Sequence, residues 1–339
     1  MDREALKNVK NIHFVGIGGS GMCPLAEILL SKGYHITGSD CNESDTLDRI
    51  KSYGITVHMG HKPENIEGAE LVVYTAAVKQ DNPELVAARE KGIKTVERSE
   101  MLGFVSDHYK ESIAISGTHG KTTTTAMLTQ VLMGCKMDPS AIIGGNSVVG
   151  KSDIIVCEAC EYVNTFLQMH PAISVILNVD ADHLDFFKNL DNIKKSFNQF
   201  AKQTSQLLVI NGDDKNSVEC TADVNLKKLF YGFDSKNDYY AANYQKGEGV
   251  SQSFDLMSDG KLITKITLNV PGKHNVLNAL AAITVALYLG AEPENIAKSI
   301  AEFSGVHRRF EILGNVNGIT VADDFAHHPT ELTATLNSA

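Results

Sequence analysis

Short apolar runs alternate with stretches of helical spacing along the first hundred residues. The runs at 11–15, 35–37 and 71–74 predict strands, because each is brief, apolar and followed by turn residues. Apolar positions at helical spacing predict the helices between and after these strands, at 22–30, 46–53 and 84–91. Strands that alternate with helices in this way indicate a parallel sheet with helices on its faces.

A polar stretch at residues 106–110 interrupts this pattern and is the predicted linker between two domains. A strand at 112–116 then leads into a second glycine-rich loop and a helix. The later elements are strands at 154–157, 172–178 and 207–210, a β-rich region at 228–270 and a helix at 275–289. Near Phe310 the pattern restarts, with a strand at 318–322 and a helix start at 329–331. We therefore expect an α/β protein with domains at 1–107, 108–309 and 310–339, the third of which begins and does not finish.

Composition narrows the possible partners. The net charge of −10 and the lack of a Lys/Arg stripe argue against a nucleic-acid partner. The first residues contain no apolar signal core, and Asn278 and Thr284 interrupt the longest apolar stretch, so we expect no membrane association. The six cysteines are scattered, with one C-x-x-C pair at Cys157 and Cys160, which favours reduced thiols in a cytoplasmic protein over a zinc or redox site.

Residues 16–21, Gly-Ile-Gly-Gly-Ser-Gly, match the G-x-G-x-x-G pattern between a strand and a helix. Glycines at these positions let the backbone approach a diphosphate, which then faces the helix N-terminus. Asp40 ends the second strand, where an acidic residue meets a ribose hydroxyl. Alone, this motif predicts an NAD enzyme, and a tight turn without a ligand is the structural alternative. A UDP-sugar also offers a diphosphate and a ribose.

Residues 116–125, Ser-Gly-Thr-His-Gly-Lys-Thr-Thr-Thr-Thr, follow an apolar strand and open a helix. Backbone N–H groups of such a loop surround phosphates, the lysine reaches the β- and γ-phosphates, and the next hydroxyl binds Mg²⁺. The literal Walker pattern fails, because Ile115 stands where its first glycine belongs. The loop is tighter, with Gly117 in that role, and it predicts ATP and Mg²⁺ as cofactors.

Six stretches, in order along the chain, carry a family resemblance: 16–22, 117–125, 158–161, 182–185, 271–278, and 308–310 with 323–331. On these motifs the chain resembles the Mur ligases over nearly all of its 339 residues. The resemblance implies an N-terminal Rossmann-like UDP-binding domain, a central P-loop ATPase domain with a mostly parallel sheet, and the start of a third Rossmann-like domain. It also implies a cytoplasmic monomer or homodimer that uses ATP to join L-alanine to the carboxylate of UDP-N-acetylmuramate through an acyl phosphate.

The resemblance assigns site residues one by one. Catalysis is expected from Lys121, Glu158, His183 and Arg309, with Thr122, Glu158 and His183 as Mg²⁺ ligands. ATP is expected against Gly117, Thr118, His119, Gly120, Lys121, Thr122, Thr123, His274, Asn275, Asn278 and Arg308. The UDP-sugar is expected at Gly18, Ser20, Gly21, Ser39, Asp40, His61 and Thr75, and the amino acid near His327. Without the resemblance, Glu158 is typical of a solvated strand end, His183 of a helix cap, and the three residues at 274–278 of an N-cap cluster.

The chain departs from the family pattern in three places. Cys160, Tyr162 and Val163 stand where the family often has Asp, Ser and Asp, and Phe325 stands where it usually has Tyr. Most of the third domain is missing from the sequence, so we expect this chain to bind both nucleotides and to ligate poorly. Three alternatives stay open: a ligase that recycles murein tripeptide, an NAD-dependent oxidoreductase, and a protein that binds a UDP-sugar without catalysis.

Overall fold

A computed structural model describes residues 8–317 and 319–338; residues 1–7, 318 and 339 lie outside the description, and with them the first residue of the predicted strand at 318–322. The first unit, residues 8–106, contains one sheet and four helices. Its elements are β1 (Asn11–Val15), α1 (Cys23–Ser31), β2 (His35–Asp40), α2 (Asp45–Ser52), β3 (Thr56–Met59), β4 (Leu71–Tyr74), α3 (Pro83–Glu90), β5 (Lys94–Glu97) and α4 (Arg98–Ser106). A 3₁₀ helix at Pro63–Ile66 connects β3 to β4. All strand pairs are parallel, in the order β3-β2-β1-β4-β5.

The first glycine loop, residues 16–21, lies between β1 and α1 at the carboxyl edge of this sheet. The Ser39 carbonyl, at the end of β2, accepts N–H bonds from Gly16 at 2.8 Å and Ile17 at 3.0 Å. Gly38 beside it has no room for a side chain, since a Cβ there would lie 2.6 Å from Ile17 Cδ1. The end of β2 therefore fixes the start of the loop.

The central unit, residues 111–301, is built on a ten-stranded sheet. Its strands are β6 (Glu111–Ser116), β7 (Ser140–Ile143), β8 (Asn146–Val148), β9 (Ile154–Glu158), β10 (Ile173–Ile176), β11 (Leu207–Asn211), β12 (Lys227–Gly232), β13 (Tyr239–Lys246), β14 (Gln252–Ser258) and β15 (Lys261–Leu268). Its helices are α5 (Lys121–Gly134), α6 (Leu184–Phe187), α7 (Leu190–Lys202), α8 (Lys215–Thr221), α9 (Lys273–Tyr288) and α10 (Pro293–Ala301), with a 3₁₀ segment at Tyr162–Gln168.

The central sheet has the order β15-β14-β13-β12-β11-β10-β6-β9-β7-β8. Strands β7, β9, β6, β10, β11, β12 and β13 pair in parallel, while β8, β14 and β15 are antiparallel to their neighbours. The second glycine loop, residues 117–120, follows β6 in the middle of this sheet. Carboxyl ends of adjacent parallel strands meet at such an edge, which is where ligands bind in open α/β sheets.

The apolar core is continuous between the two units. Leu102 and Phe104 of α4 belong to the same buried cluster as Phe166 of the 3₁₀ segment and Met169 directly after it. The predicted linker lies over this junction, and its Tyr109 is only 4% exposed, with its hydroxyl donating to Ser140 Oγ at 3.1 Å. The polar stretch at 106–110 therefore separates two sheets without separating their cores. A second cluster fills the other face of the central sheet, under α5, α9 and α10.

A hairpin and a helix follow the central unit: β16 (Glu311–Val316), β17 (Ile319–Asp323) and α11 (Pro329–Ser338). The two strands pair antiparallel. Asp324 connects this segment to the residues before it, since its Oδ2 accepts the Phe310 N–H at 2.8 Å and the Thr335 hydroxyl at 3.2 Å. The predicted strand at 318–322 corresponds to β17.

Some elements differ from the sequence prediction. Strands β3 and β5 and helix α4 were not predicted, because their short segments mix polar and apolar residues. Helix α9 begins at Lys273, two residues before the predicted start at 275, and Gly272 caps it without a side-chain hydrogen bond, so the alternative N-cap role of residues 274–278 is not seen. Within residues 8–317 and 319–338, the helices all fall short of the length and apolar character needed to cross a membrane.

Candidate active site

The second glycine loop requires its glycines. Gly117 and Gly120 have φ of 140° and 89°, values that L side chains rarely adopt. A Cβ on Gly120 would lie 2.6 Å from Asn278 Oδ1, and a Cβ on Gly117 would lie 2.8 Å from Leu177 Cβ. The loop backbone therefore packs directly against α9 and the residue that follows β10.

The segment after β10 holds this loop in place. The His119 N–H donates to Asn178 Oδ1 at 2.8 Å, and Asn178 Nδ2 donates to the His119 carbonyl at 3.0 Å. The Asp180 N–H donates to Thr118 Oγ1 at 2.9 Å. Sequence reasoning did not assign Asn178 or Asp180 to the site, although their position at and just after the carboxyl end of a predicted apolar strand is a signal that could have found them.

Lys121 lies among oxygen atoms at the base of the loop. Its Nζ donates to the Gly117 carbonyl at 2.6 Å, to the Thr118 carbonyl at 3.1 Å and to Glu161 Oε2 at 2.9 Å. Glu161 is 2% exposed, and its other oxygen, Oε1, lies 4.0 Å from His183 Nε2. Glu161 thus connects two of the predicted catalytic residues, a role that its place in the 158–161 motif alone did not reveal.

Thr122 and Glu158 provide two hard oxygen atoms beside Lys121. The Thr122 hydroxyl donates to Glu158 Oε2 at 3.1 Å, and the Gly144 N–H donates to Glu158 Oε1 at 2.7 Å. Burial raises the pKa of Glu158, while these two hydrogen bonds and the charges of Lys121 and Arg309 act in the opposite direction. A hydroxyl and a carboxylate suit Mg²⁺, so these residues fit the predicted ion.

His183 stands at the start of α6 with a left-handed φ of 51°. The ring of Tyr162 packs against it, with ring centroids 4.6 Å apart. Tyr162 is one of the residues at which the chain departs from the family pattern, so the departure adds an aromatic contact to a predicted metal ligand.

A cavity of about 470 Å³ opens beside the second glycine loop. The predicted residues that line it are His119, Gly120, Thr123, His274, Asn275, Asn278 and Arg309. Tyr231, Asn211, Asp214, Asn216 and Asp324 line it as well. The volume lies in the range of small-molecule sites, and the lining combines aromatic and amide groups that can hold a nucleotide base and ribose.

Two predicted ATP contacts, Arg308 and Asn275, are engaged in local contacts. The Arg308 guanidinium carbon is 4.8 Å from the centre of the Phe325 ring, and its Nε is 3.5 Å from Asp323 Oδ2. Asn275 donates to the Pro271 carbonyl at 2.7 Å and accepts from Asn278 at 3.1 Å, so it supports the end of the β15–α9 connection.

A second cavity, of about 550 Å³, lies between the first and central units. Ser20, Gly21 and Thr75 line one side of it, and Gly144 and Glu158 line the other. This cavity therefore runs from the first glycine loop to the carboxylate that contacts Thr122.

The other residues predicted for the UDP-sugar take part in local bonds. Asp40 Oδ2 accepts the Gly18 N–H at 2.9 Å, and this bond joins the first glycine loop to the end of β2. Ser39 is fully buried and donates to Glu84 Oε2 at 2.7 Å, and His61 Nδ1 lies 2.9 Å from the same oxygen. Ser39 and His61 thus belong to a buried network around Glu84 that supports the end of β2.

Arg98 was missed by sequence reasoning. It is the first residue of α4 and lines the cavity between the units. A Cβ on Gly21 would lie 2.8 Å from Arg98 Cδ, so the arginine extends across the first glycine loop. Among the described residues that line this cavity, Arg98 alone carries a positive charge. Its signal was hidden because it follows β5, a strand that the sequence did not predict.

Arg49 connects the two units near this cavity. It donates to the Gly145 carbonyl at 3.1 Å, in the turn between β7 and β8, and to Oδ1 of Asn146, the first residue of β8, at 2.9 Å. Its Nε also lies 2.8 Å from Glu27 of α1. The same turn carries Gly144, which bonds Glu158. A continuous path of contacts therefore leads from α1 and α2 to the predicted magnesium ligand.

The histidines after β17 take different positions. His327 is exposed, and its Nδ1 lies 3.0 Å from the Phe325 carbonyl. His328 packs against His119 of the second glycine loop, with ring centroids 4.7 Å apart.

The loop, its lysine, and the adjacent hydroxyl and carboxylate define a P-loop nucleotide-binding protein with a second cavity at a Rossmann-like unit. The Mur ligase family catalytic domain matches residues 11–110, and the Mur ligase middle domain matches residues 115–286. UDP-N-acetylmuramate–L-alanine ligase of Clostridium botulinum (strain Langeland) is 47% identical over 97% of this chain and 74% of that protein. Its counterpart from Alkaliphilus metalliredigens is 44% identical over 98% of this chain and 74% of that protein.

A solved structure is also similar. The crystal structure of UDP-N-acetylmuramate–alanine ligase from Thermotoga maritima superimposes with a TM-score of 0.82, at 32% identity, over 97% of this chain and 77% of that one. The chain belongs to the Mur ligase family.

Proposed function

We propose that this chain is an ATP-dependent ligase that joins L-alanine to the carboxylate of UDP-N-acetylmuramate through an acyl phosphate, as a cytoplasmic monomer or homodimer. One observation carries the proposal. Glu158 lines the cavity between the units and also accepts the hydroxyl of Thr122 beside the second glycine loop. A UDP-sugar on the first loop and a triphosphate on the second would therefore bring carboxylate and γ-phosphate together at Glu158.

The residues around Glu158 suit phosphoryl transfer, which depends on alignment and on the neutralisation of charge. Lys121 and the loop N–H groups hold the β- and γ-phosphates, and Arg309 adds positive charge from the nucleotide cavity. Thr122, Glu158 and His183 would hold Mg²⁺, which supplies further neutralisation of phosphate charge when bound. The sugar carboxylate forms a bond to the γ-phosphorus as ADP leaves.

The amine of L-alanine then attacks the acyl carbon, and phosphate leaves from the tetrahedral intermediate. Arg98 in the cavity between the units would hold the diphosphate of the UDP-sugar, with Gly18, Ser20 and Gly21 of the first loop. His327 is the residue proposed to lie near the amino acid. The proposed domains are residues 1–107, 108–309 and 310–339.

Calorimetry on Lys121→Ala tests the assignment of the second loop. The variant should lose measurable MgATP binding and keep UDP-N-acetylmuramate binding, because the two ligands occupy different cavities. Lys215→Ala is the matched control, since Lys215 is 86% exposed on α8 and should leave both affinities unchanged. MgATP affinity that survives in Lys121→Ala would remove the loop from the ATP site.

Substrate specificity is tested separately. Phosphate release with MgATP and UDP-N-acetylmuramate should depend on L-alanine rather than on murein tripeptide. In a direct competition, UDP should bind better than NAD. Tighter binding of NAD would support the oxidoreductase alternative instead.

A further inference from the structure

Three side chains with metal-binding atoms meet at the edge of the second glycine loop. The atoms offered by His119, Asp180 and His328 all lie within 4.8 Å of one another. His119 Nε2 is 3.4 Å from Asp180 Oδ2. Two ligands that each bind one zinc ion at about 2.0–2.1 Å in a tetrahedral site lie roughly 3.4 Å apart, so this spacing matches one edge of such a site.

Two of the three residues are held in place by backbone hydrogen bonds. The paired bonds between His119 and Asn178 fix the backbone that carries the first imidazole. The Asp180 N–H donates to Thr118, and Asp180 Oδ1 accepts the Ala181 N–H at 2.7 Å. This last bond turns Oδ2 toward His119. Restraint of this kind raises metal affinity, because little order is lost when the ion binds.

The third residue comes from the segment after the central unit. The His328 carbonyl accepts the Leu332 N–H at 2.9 Å in the first turn of α11. The turn before it is fixed by Asp324, which accepts the Phe310 and Ala326 N–H groups at 2.8 and 2.7 Å. His328 is therefore presented by an ordered turn, and its ring packs against the ring of His119.

The chemistry of the three donors separates them from the predicted magnesium position. Mg²⁺ prefers oxygen ligands, such as Thr122 and Glu158. Two imidazoles with one carboxylate favour zinc, cobalt or nickel over magnesium. Three protein ligands also leave a fourth position for water, as in zinc sites that are not fully enclosed by protein.

We propose that His119, Asp180 and His328 bind one divalent transition-metal ion of the zinc class. The ion would join the second glycine loop to the turn before α11. Because His119 and Asp180 also line the nucleotide cavity, the ion would sit beside bound ATP and restrain the two sides of that cavity.

Cobalt is the probe, because its visible absorption bands report coordination directly. The chain, freed of metal by chelation and dialysis, is titrated with Co²⁺ in the presence of excess Mg²⁺, and Zn²⁺ is then added. We expect one Co²⁺ per chain, with bands typical of four or five ligands, displaced by one equivalent of Zn²⁺. Absence of these bands, or their loss in excess Mg²⁺, would overturn the proposal.

Variants identify the ligands. His328→Ala and Asp180→Asn should each weaken Co²⁺ binding by at least about 10-fold, since the loss even of groups that orient ligands costs 10–100-fold. His327→Ala is the matched control: it removes the neighbouring, exposed imidazole and should leave Co²⁺ affinity unchanged. Equal affinity in the wild type and His328→Ala, or an equal loss in His327→Ala, would contradict the assignment. Circular dichroism confirms that each variant is folded.

Discussion

The ammonium group of Lys121 lies 2.9 Å from Oε2 of Glu161, a carboxylate that is 2% exposed. Removing one partner of a buried pair leaves the other charge without compensation, at a cost of about 3–5 kcal/mol. Glu161→Ala should therefore lower the free energy of unfolding of the central unit by roughly 3 kcal/mol. Urea denaturation followed by circular dichroism measures the change.

Glu219→Ala provides the comparison for this pair. Glu219 lies 2.8 Å from Lys194, but both side chains reach solvent, so the loss should be much smaller than in Glu161→Ala. Similar losses of stability in the two variants would show that the buried pair of Lys121 and Glu161 contributes no more to stability than an exposed pair does.

Arg98→Ala should weaken binding of UDP-N-acetylmuramate and leave MgATP binding unchanged. Hydrogen bonds to a charged group contribute about 1.5–3 kcal/mol, which corresponds to a loss of roughly 10- to 150-fold. Calorimetry with each ligand measures both affinities. Arg89→Ala is the control within the same unit, because Arg89 bonds the Leu85 carbonyl on α3. An equal change in MgATP affinity would contradict the assignment of Arg98 to the UDP-sugar site.

Gly120→Ala should disturb the second glycine loop for two separate reasons. Its φ of 89° is unfavourable for alanine by about 1–2 kcal/mol, and the new Cβ would lie 2.6 Å from Asn278 Oδ1. Gly260→Ala separates the two causes, since Gly260 has a φ of 71° and open space around it. We expect both variants to lose stability and only Gly120→Ala to lose MgATP affinity as well. Normal MgATP binding by Gly120→Ala would exclude the close contact as a constraint on the loop.

The buried carboxylate of Glu84 should make the first unit sensitive to acid. Burial would raise its pKa, but the neighbouring His13, 3.7 Å away, and hydrogen bonds from Ser39 and Asn65 lower it from 4.5 to about 2. A group with a lowered pKa stabilises the folded state above its unfolded value and loses this contribution as the pH falls toward its folded value. The contribution of Glu84 is therefore complete above about pH 4.5 and disappears toward pH 2, with a size of roughly 3 kcal/mol.

This dependence can be measured by comparison with Glu84→Gln. The stability advantage of the wild type should shrink between about pH 4.5 and pH 2, because Glu84 takes up its proton at a higher pH in the unfolded chain than in the folded protein. Glu90→Gln is the control, because Glu90 is an exposed carboxylate at the end of α3, the same helix that carries Glu84. A gap between wild type and Glu84→Gln that stays constant, or widens, as the pH falls would contradict the expected loss of stability in acid.

Much of the fold could be predicted because buried parallel strands are apolar throughout. The runs that became β1, β4, β6, β9 and β11 each stand out from their surroundings. The signal weakens where a strand is partly exposed, as in β3, where side chains at 56–59 are intermediate or exposed. Strand β5 is also partly exposed and was not predicted, so Arg98, which follows it directly, was not assigned to the site.

The site itself was predictable only where its residues are close in sequence. Lys121, Thr122 and the glycines form one loop, so the motif contains their geometry. The pairing of Lys121 with Glu161, the network around Glu84, and the approach of His328 to His119 join residues from separate elements. A single sequence holds no distance information of that kind. The resemblance indicated which of these residues matter without indicating what they touch.

The shared core between the two units limits how the protein can have been assembled in evolution. Phe104 and Phe166 lie in one cluster, and Tyr109 is buried in the connection between the sheets. Recombination that cut the gene at the polar stretch would expose apolar surface on both products. A nucleotide-binding module transferred to another protein would therefore have to carry α4 with it, or acquire a new partner for the 3₁₀ segment.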